Sequence, residues 1–157
     1  MISLSFSVPG PDSPWWSTWD EAKHLNPEAI TETALRYKYF SVGAELAVGG
    51  AEFVSGRSFV PLVDLALSLA WVADRLAGGE EAAFGFTERA EVIRLRPAGD
   101  LVRVSSSAKP VEASAERTEL LAKLAEFVDA AYARLIEEIP GLVGNPTIRR
   151  LDRTAGR

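Results

Sequence analysis

Hydrophobic and polar positions divide the chain into stretches of different period. Residues 1–29 hold Pro9, Pro11, Pro14 and Pro27 and keep neither a helical nor a strand period for long, which predicts an ordered arm with one helical turn over Ser17–Leu25. From Glu32 to Val48 the β-formers Leu35, Tyr37, Tyr39 and Val42 dominate, with Leu35, Tyr37 and Tyr39 alternating against Arg36 and Lys38. That pattern predicts one long strand, or two shorter ones bent at Gly43. Gly49-Gly50 then marks a hairpin turn into a short strand around Ala51–Val54.

Beyond it the period lengthens. Ser58 offers an N-cap, Pro61 is tolerated in a first helical turn and Gly78-Gly79 is a stop, so a first long helix is expected over 59–77. Its Leu62, Leu65, Leu69, Val72 and Leu76 recur at three- and four-residue steps as a core stripe, with Trp71 expected in the core beside them. Strands are expected over 82–87, 90–96 and 101–106, joined by tight links at Glu88-Arg89 and Ala98-Gly99 into an antiparallel meander. Ser114 offers a cap for a second long helix running to Ile139, with Leu120, Leu121, Leu124, Phe127, Val128, Ala131, Leu135 and Ile139 on one side and Pro140-Gly141 ending it.

The expected order is therefore ββαβββα: an α+β domain with an antiparallel sheet of about five strands and two helices packed on one face. The other face is left for solvent or a partner. The whole of 1–157 reads as a single domain, with a Trp/Pro-rich arm at 1–29, an α+β core at 30–141 and a short basic tail at 142–157.

The meander raises the first candidate for chemistry. With Ala98-Gly99 as its turn, Leu95 faces Val102 and Ile93 faces Val104 on the buried side, while Arg94 lies opposite Arg103 on the other, with Arg96 beside them. Pairing across Glu88-Arg89 sets Ala83 opposite Arg94 and Gly85 opposite Val92, which leaves the arginine patch shallow and open. Such a patch is either neutralised internally, by Glu45, Glu88 or a helix carboxylate, or recognises an anionic partner.

A second candidate is Trp15, Trp16 and Trp19 beside Pro14, which either close over the core as a lid or anchor a partner. A pocket between sheet and helices, lined by Tyr37, Tyr39, Arg94 and the sole histidine His24, is the alternative for a small-molecule binder or a minor enzyme.

Composition narrows the chemistry. The absence of cysteine excludes disulfides, thiolate metal sites and cysteine nucleophiles, and a single histidine leaves a structural zinc site short of ligands and any triad to be built on His24 alone. The neighbouring acids Asp20-Glu21, Glu80-Glu81 and Glu137-Glu138 point apart along a helix or strand, so no catalytic residue, metal ligand or cofactor is assigned. Neither Gly-Gly pair follows a nucleotide-binding pattern.

The net charge of −5 speaks against nucleic-acid binding, and the acidity lies in residues 1–80, with ten acids and five bases against twelve of each in 81–157. Asp64, Asp74 and Arg75 interrupt the longest apolar run, so no membrane span is expected; with no leader-like start in Met1–Gly10, the expected location is cytoplasmic.

The stretch Phe59-Val60-Pro61-Leu62-Val63-Asp64-Leu65-Ala66, the run Phe84-Gly85-Phe86-Thr87-Glu88, the strand Gly99-Asp100-Leu101-Val102-Arg103-Val104 and the closing Asn145-Pro146 resemble a family of small actinobacterial domains of unknown function. Some comparable domains are similar to immunity proteins encoded beside polymorphic toxins. The resemblance spans roughly residues 32–148, leaves out the tryptophan arm and brings no catalytic residues. It implies a non-catalytic protein-binding domain of the immunity-inhibitor type, with a protein partner; a homodimer through the open sheet face or the arm is compatible with either functional reading.

Overall fold

A computed structural model of the chain describes residues 1–55, 59–86 and 89–153. The arm opens with a strand that the proline count conceals: β1 (Ile2–Ser7) alternates Ile2, Leu4 and Phe6 with three serines. A helical turn does form where expected, as α1 (Ser17–Asp20) flanked by 3-10 turns at Pro14–Trp16 and Glu21–His24.

The expected strand around Leu35 and Tyr37 is instead a helix, α2 (Glu32–Tyr37). Local chemistry outweighs the β-propensity there. Thr31 caps the first turn by accepting a hydrogen bond from the Ala34 N–H at 3.2 Å, and Glu32 pairs with Arg36 one turn on at 3.1 Å. The switch from helix to strand falls at Phe40, a buried non-glycine residue held at φ +61°. Such a backbone costs about 1–3 kcal/mol and persists only where its surroundings fix it. Here the Phe40 N–H donates to Thr18 O and its carbonyl accepts from the Leu62 N–H, so α1 and the first residue of the long helix that follows hold it from both sides.

Next, β2 (Ser41–Val48) turns through Gly49-Gly50, both at positive φ, into β3 (Ala51–Val54), as the sequence indicates. A short strand β4 (Phe59–Pro61) precedes α3 (Leu62–Ala77), so this helix starts three residues later than expected. Its N-cap is Pro61; Ser58 lies outside the described residues.

The meander is present as β5 (Ala82–Phe86), β6 (Arg89–Ala98) and β7 (Leu101–Ser106), and a further strand β8 (Glu112–Glu116) occupies the place expected for the start of the second helix. Ser114 is therefore a strand residue, and α4 (Arg117–Glu138) begins after it. The presumed tail is folded: a 3-10 turn at Pro140–Gly144 leads into α5 (Pro146–Arg149), and Leu142, Ile148 and Leu151 are fully buried.

The fold is α+β with antiparallel pairing, but the expectation of five strands and two helices is too small. Among the described residues there are eight strands in two four-stranded sheets and five α-helical segments. In the N-terminal sheet β2 is central, with β1 on one side and β3 and β4 end to end on the other. The meander sheet runs β5-β6-β7-β8. The long helices α3 and α4 pack against each other; α3 also reaches β4 and β5, and α4 reaches β1, β7 and β8. One continuous core results, with Leu69 and Leu76 of α3 and Leu120 and Leu135 of α4 almost wholly removed from solvent. No helix among the described residues is long and apolar enough to cross a membrane.

Candidate functional site

The inner face of β6 and β7 is set by Ile93, Leu95, Val102 and Val104, all buried, so the intervening residues must point outward. Arg94, Arg96 and Arg103 accordingly share the exposed face of the meander sheet. Their register differs from expectation by two residues, because the β6–β7 turn is Gly99-Asp100 and not Ala98-Gly99. Gly99 sits at φ +65°, the first central position at which a two-residue hairpin most needs glycine.

The cross-strand arginine pair is thus Arg96 with Arg103, while Arg94 lies opposite Ser105 on one side and Ala83 on the other. Ala83 against Arg94 and Gly85 against Val92 agree with the expected β5–β6 register. The Glu88-Arg89 link invoked for it is not the turn: Arg89 is a β6 residue paired with Phe86, Glu88 lies outside the described residues, and a register shift between Gly85 and Phe86 reconciles the two.

Among the described residues the patch is neutralised only at its margins, and not by Glu45 or a helix; Glu88 lies outside them. Arg96 lies 3.4 Å from Glu81, and Arg103 lies 3.8 Å from Glu112 across the β7–β8 pair. All four side chains are more than half exposed, so each pair contributes only about 0–1 kcal/mol. A flat row of guanidinium groups can therefore exchange these carboxylates for others at little cost. Contrast Arg36, held at 2.8 Å by Asp64: burial opposes its charge, but the hydrogen bond and attraction of Asp64, with help from Glu32, raise its pKa.

The tryptophans separate. Trp19 is fully buried, donates its indole N–H to Ser41 O at 2.8 Å and meets Phe40 edge-on at 4.9 Å. Trp16 is half-buried beneath the Lys23 ammonium, and of the arm's three only Trp15 is substantially exposed, stacked on Phe59 at 5.2 Å. Trp71, expected in the core, is half exposed on α3 and carries the Arg75 guanidinium over its ring.

The pocket set does not converge. His24 and Tyr37 are exposed, Tyr39 is buried against Phe40, and Arg94 belongs to the meander face.

Two grooves escaped the sequence reading. One, of about 570 Å³, lies between β1 and α4, lined by Leu4, Ser5 and Phe6 opposite Glu126, Ala130 and Arg134. The other, of about 290 Å³, separates α3 from α4, with Ala70, Ala73, Leu121 and Val128 in its walls and Arg150 and Arg153 among its polar lining. Its alanines at helical spacing were the available signal, but facing helices had to be known to read them as a gap. Among the described residues no three His, Asp or Glu side chains gather as metal ligands. No protein-family model matches the chain, and no curated protein or solved structure is significantly similar to it.

Proposed function

We propose that this chain is a non-catalytic protein-binding domain that docks an acidic protein surface on the outer face of its meander sheet, in the manner of an immunity-type inhibitor. The observation that supports it is the arginine row: Arg96 directly opposite Arg103, with Arg94 two residues along the same strand face. Like charges placed opposite one another oppose sheet pairing by a few tenths of a kcal/mol, and an acidic partner relieves that repulsion. Guanidinium forks also accept carboxylates in bidentate geometry, and a one-signed patch speeds encounter with a partner of opposite sign. Trp15 is the remaining exposed aromatic of the arm and a separate contact to test.

The test is affinity capture with wild type, an Arg94→Gln, Arg96→Gln, Arg103→Gln triple variant and a Trp15→Ala variant. The triple variant should fold normally and bind about 2–5 kcal/mol more weakly, with wild-type affinity falling as salt rises. Salt-independent affinity that the triple variant retains would remove the arginine face from consideration.

The α3–α4 groove favours a second reading, a small-molecule binder for apolar carboxylic acids, because its apolar walls are accompanied by two arginines. Both are already engaged, Arg150 by Glu32 at 2.8 Å and Arg153 by Asp129 at 3.5 Å, which places this reading second.

A further inference from the structure

We infer that the chain pairs with a second copy of itself through β1 and α4, extending the N-terminal sheet across a two-fold axis. β1 is an edge strand whose one described partner is β2. The bond from the Gly49 N–H to Met1 O fixes the alternation along that ladder: Ser3, Ser5 and Ser7 exchange hydrogen bonds with β2, and the N–H and C=O groups of Ile2, Leu4 and Phe6 point the other way. Among the described residues no hydrogen-bond partner is recorded for those outward groups. They open into the groove of about 570 Å³ beside α4. Natural edge strands are blunted by Lys, Pro or a bulge. ISLSFS has no Lys or Pro, and its register with β2 runs without a shift from Ile2 to Ser7.

The charge pattern of α4 selects the occupant. Lys123, Glu126, Ala130, Arg134 and Glu137 recur at steps of three and four as one stripe of α4, whose last four members line this groove. The stripe is antisymmetric about Ala130: Glu126 and Arg134 stand four residues to either side, and Lys123 and Glu137 seven. Two copies of α4 laid antiparallel with Ala130 on the axis would oppose Glu126 to Arg134 of the partner copy and Lys123 to Glu137 of the partner copy, each twice. The exposed Ala130 and the neighbouring Ala133 leave the helices room to approach.

The same axis runs β1 antiparallel to its copy about Ser5, joining the outward groups of Leu4 to those of Phe6 in the partner copy. Within one chain Lys123 lies 3.7 Å from Glu126 at the helix surface, and Arg134 lies 3.0 Å from the partly buried Glu138, which also meets Lys23 at 3.4 Å, so association redistributes existing pairs. An isologous interface requires this kind of self-complementarity; a heterologous strand would not.

The test is sedimentation of the full chain across a concentration series, with Glu126→Arg alone and Glu126→Arg combined with Arg134→Glu. Wild type should dimerise reversibly. The single variant should weaken the dimer by about tenfold or more, by opposing two arginines across the axis, and the charge-exchanged double variant should recover most of the loss. Circular dichroism should match for all three, since these side chains are outside the core. In amide exchange, Leu4 and Phe6 should slow as the dimer forms while Ser3 and Ser5 stay protected throughout. A wild type that remains monomeric up to about millimolar concentration, weak enough to be negligible, would overturn the inference and leave the groove to a strand of another protein. Failure of the double variant to recover would overturn the antiparallel pairing on Ala130.

Discussion

The two sheets have the same number of strands but differ where the arm covers one of them. In the N-terminal sheet Ser41, Val42, Gly43 and Ala44 are consecutive and all buried, because the arm lies over the start of β2: Trp19 donates to Ser41 O, and Thr18 Oγ accepts from the Ser41 N–H at 3.0 Å. The meander sheet buries only alternate residues, and its outer face carries Arg94, Arg96 and Arg103. A strand end covered on both sides, as the start of β2 is, is committed to stability. A sheet left bare on a face can change its surface residues without disturbing the core, and its composition there is free to serve a partner.

The largest loss is expected from Trp19→Ala, which empties a fully buried site and strands the Ser41 carbonyl. It should cost about 3–5 kcal/mol in chemical denaturation, whereas a loss below about 1 kcal/mol would show that the arm is not integral to the fold. Asn145→Ala comes next. The Asn145 amide is fully buried, donates to Pro27 O at 2.8 Å and Ile30 O at 3.0 Å, and its Oδ1 accepts from the Thr147 and Ile148 N–H groups. Leaving those groups unpaired should cost about 1–3 kcal/mol. Smallest is Arg96→Gln with Arg103→Gln on the bare face: a change within about 1 kcal/mol in either direction is expected, since exposed pairs and like-charge repulsion nearly cancel. A larger destabilisation would make that face structural.

The sequence was most informative where short-range signals agreed with each other. Strands β5 to β7, the core stripe of α3 and the Gly49-Gly50 turn all follow from period and turn chemistry, whereas the expected β5–β6 register holds only because a shift at Gly85/Phe86 offsets a misplaced turn. Misreadings arose where signals competed. In α2 a threonine cap outweighed aromatic β-propensity, and between β6 and β7 the choice of turn residue moved the register by two. In β8 the segment EASAE has little intrinsic strand tendency and is recruited by pairing with β7. β1 was legible in the alternation of ISLSFS but masked by the prolines that follow. The arginine face was found, with the wrong cross-strand pair; the β1–α4 groove was not, because it exists only between elements distant in sequence.

Asn145 also sets a clock on biosynthesis. Its partners Pro27 and Ile30 precede it by 118 and 115 residues, a wait on the order of ten seconds at about 5–20 residues per second of translation. During that interval the stretch from Asn26 to Thr31 has emerged without the side chain that later holds its carbonyls, and Glu28 lacks the Gly144 backbone it packs against. A nascent chain stalled or cut short before residue 145 would therefore betray itself at its opposite end, and protease nicking near Pro27 would report loss of the C-terminus.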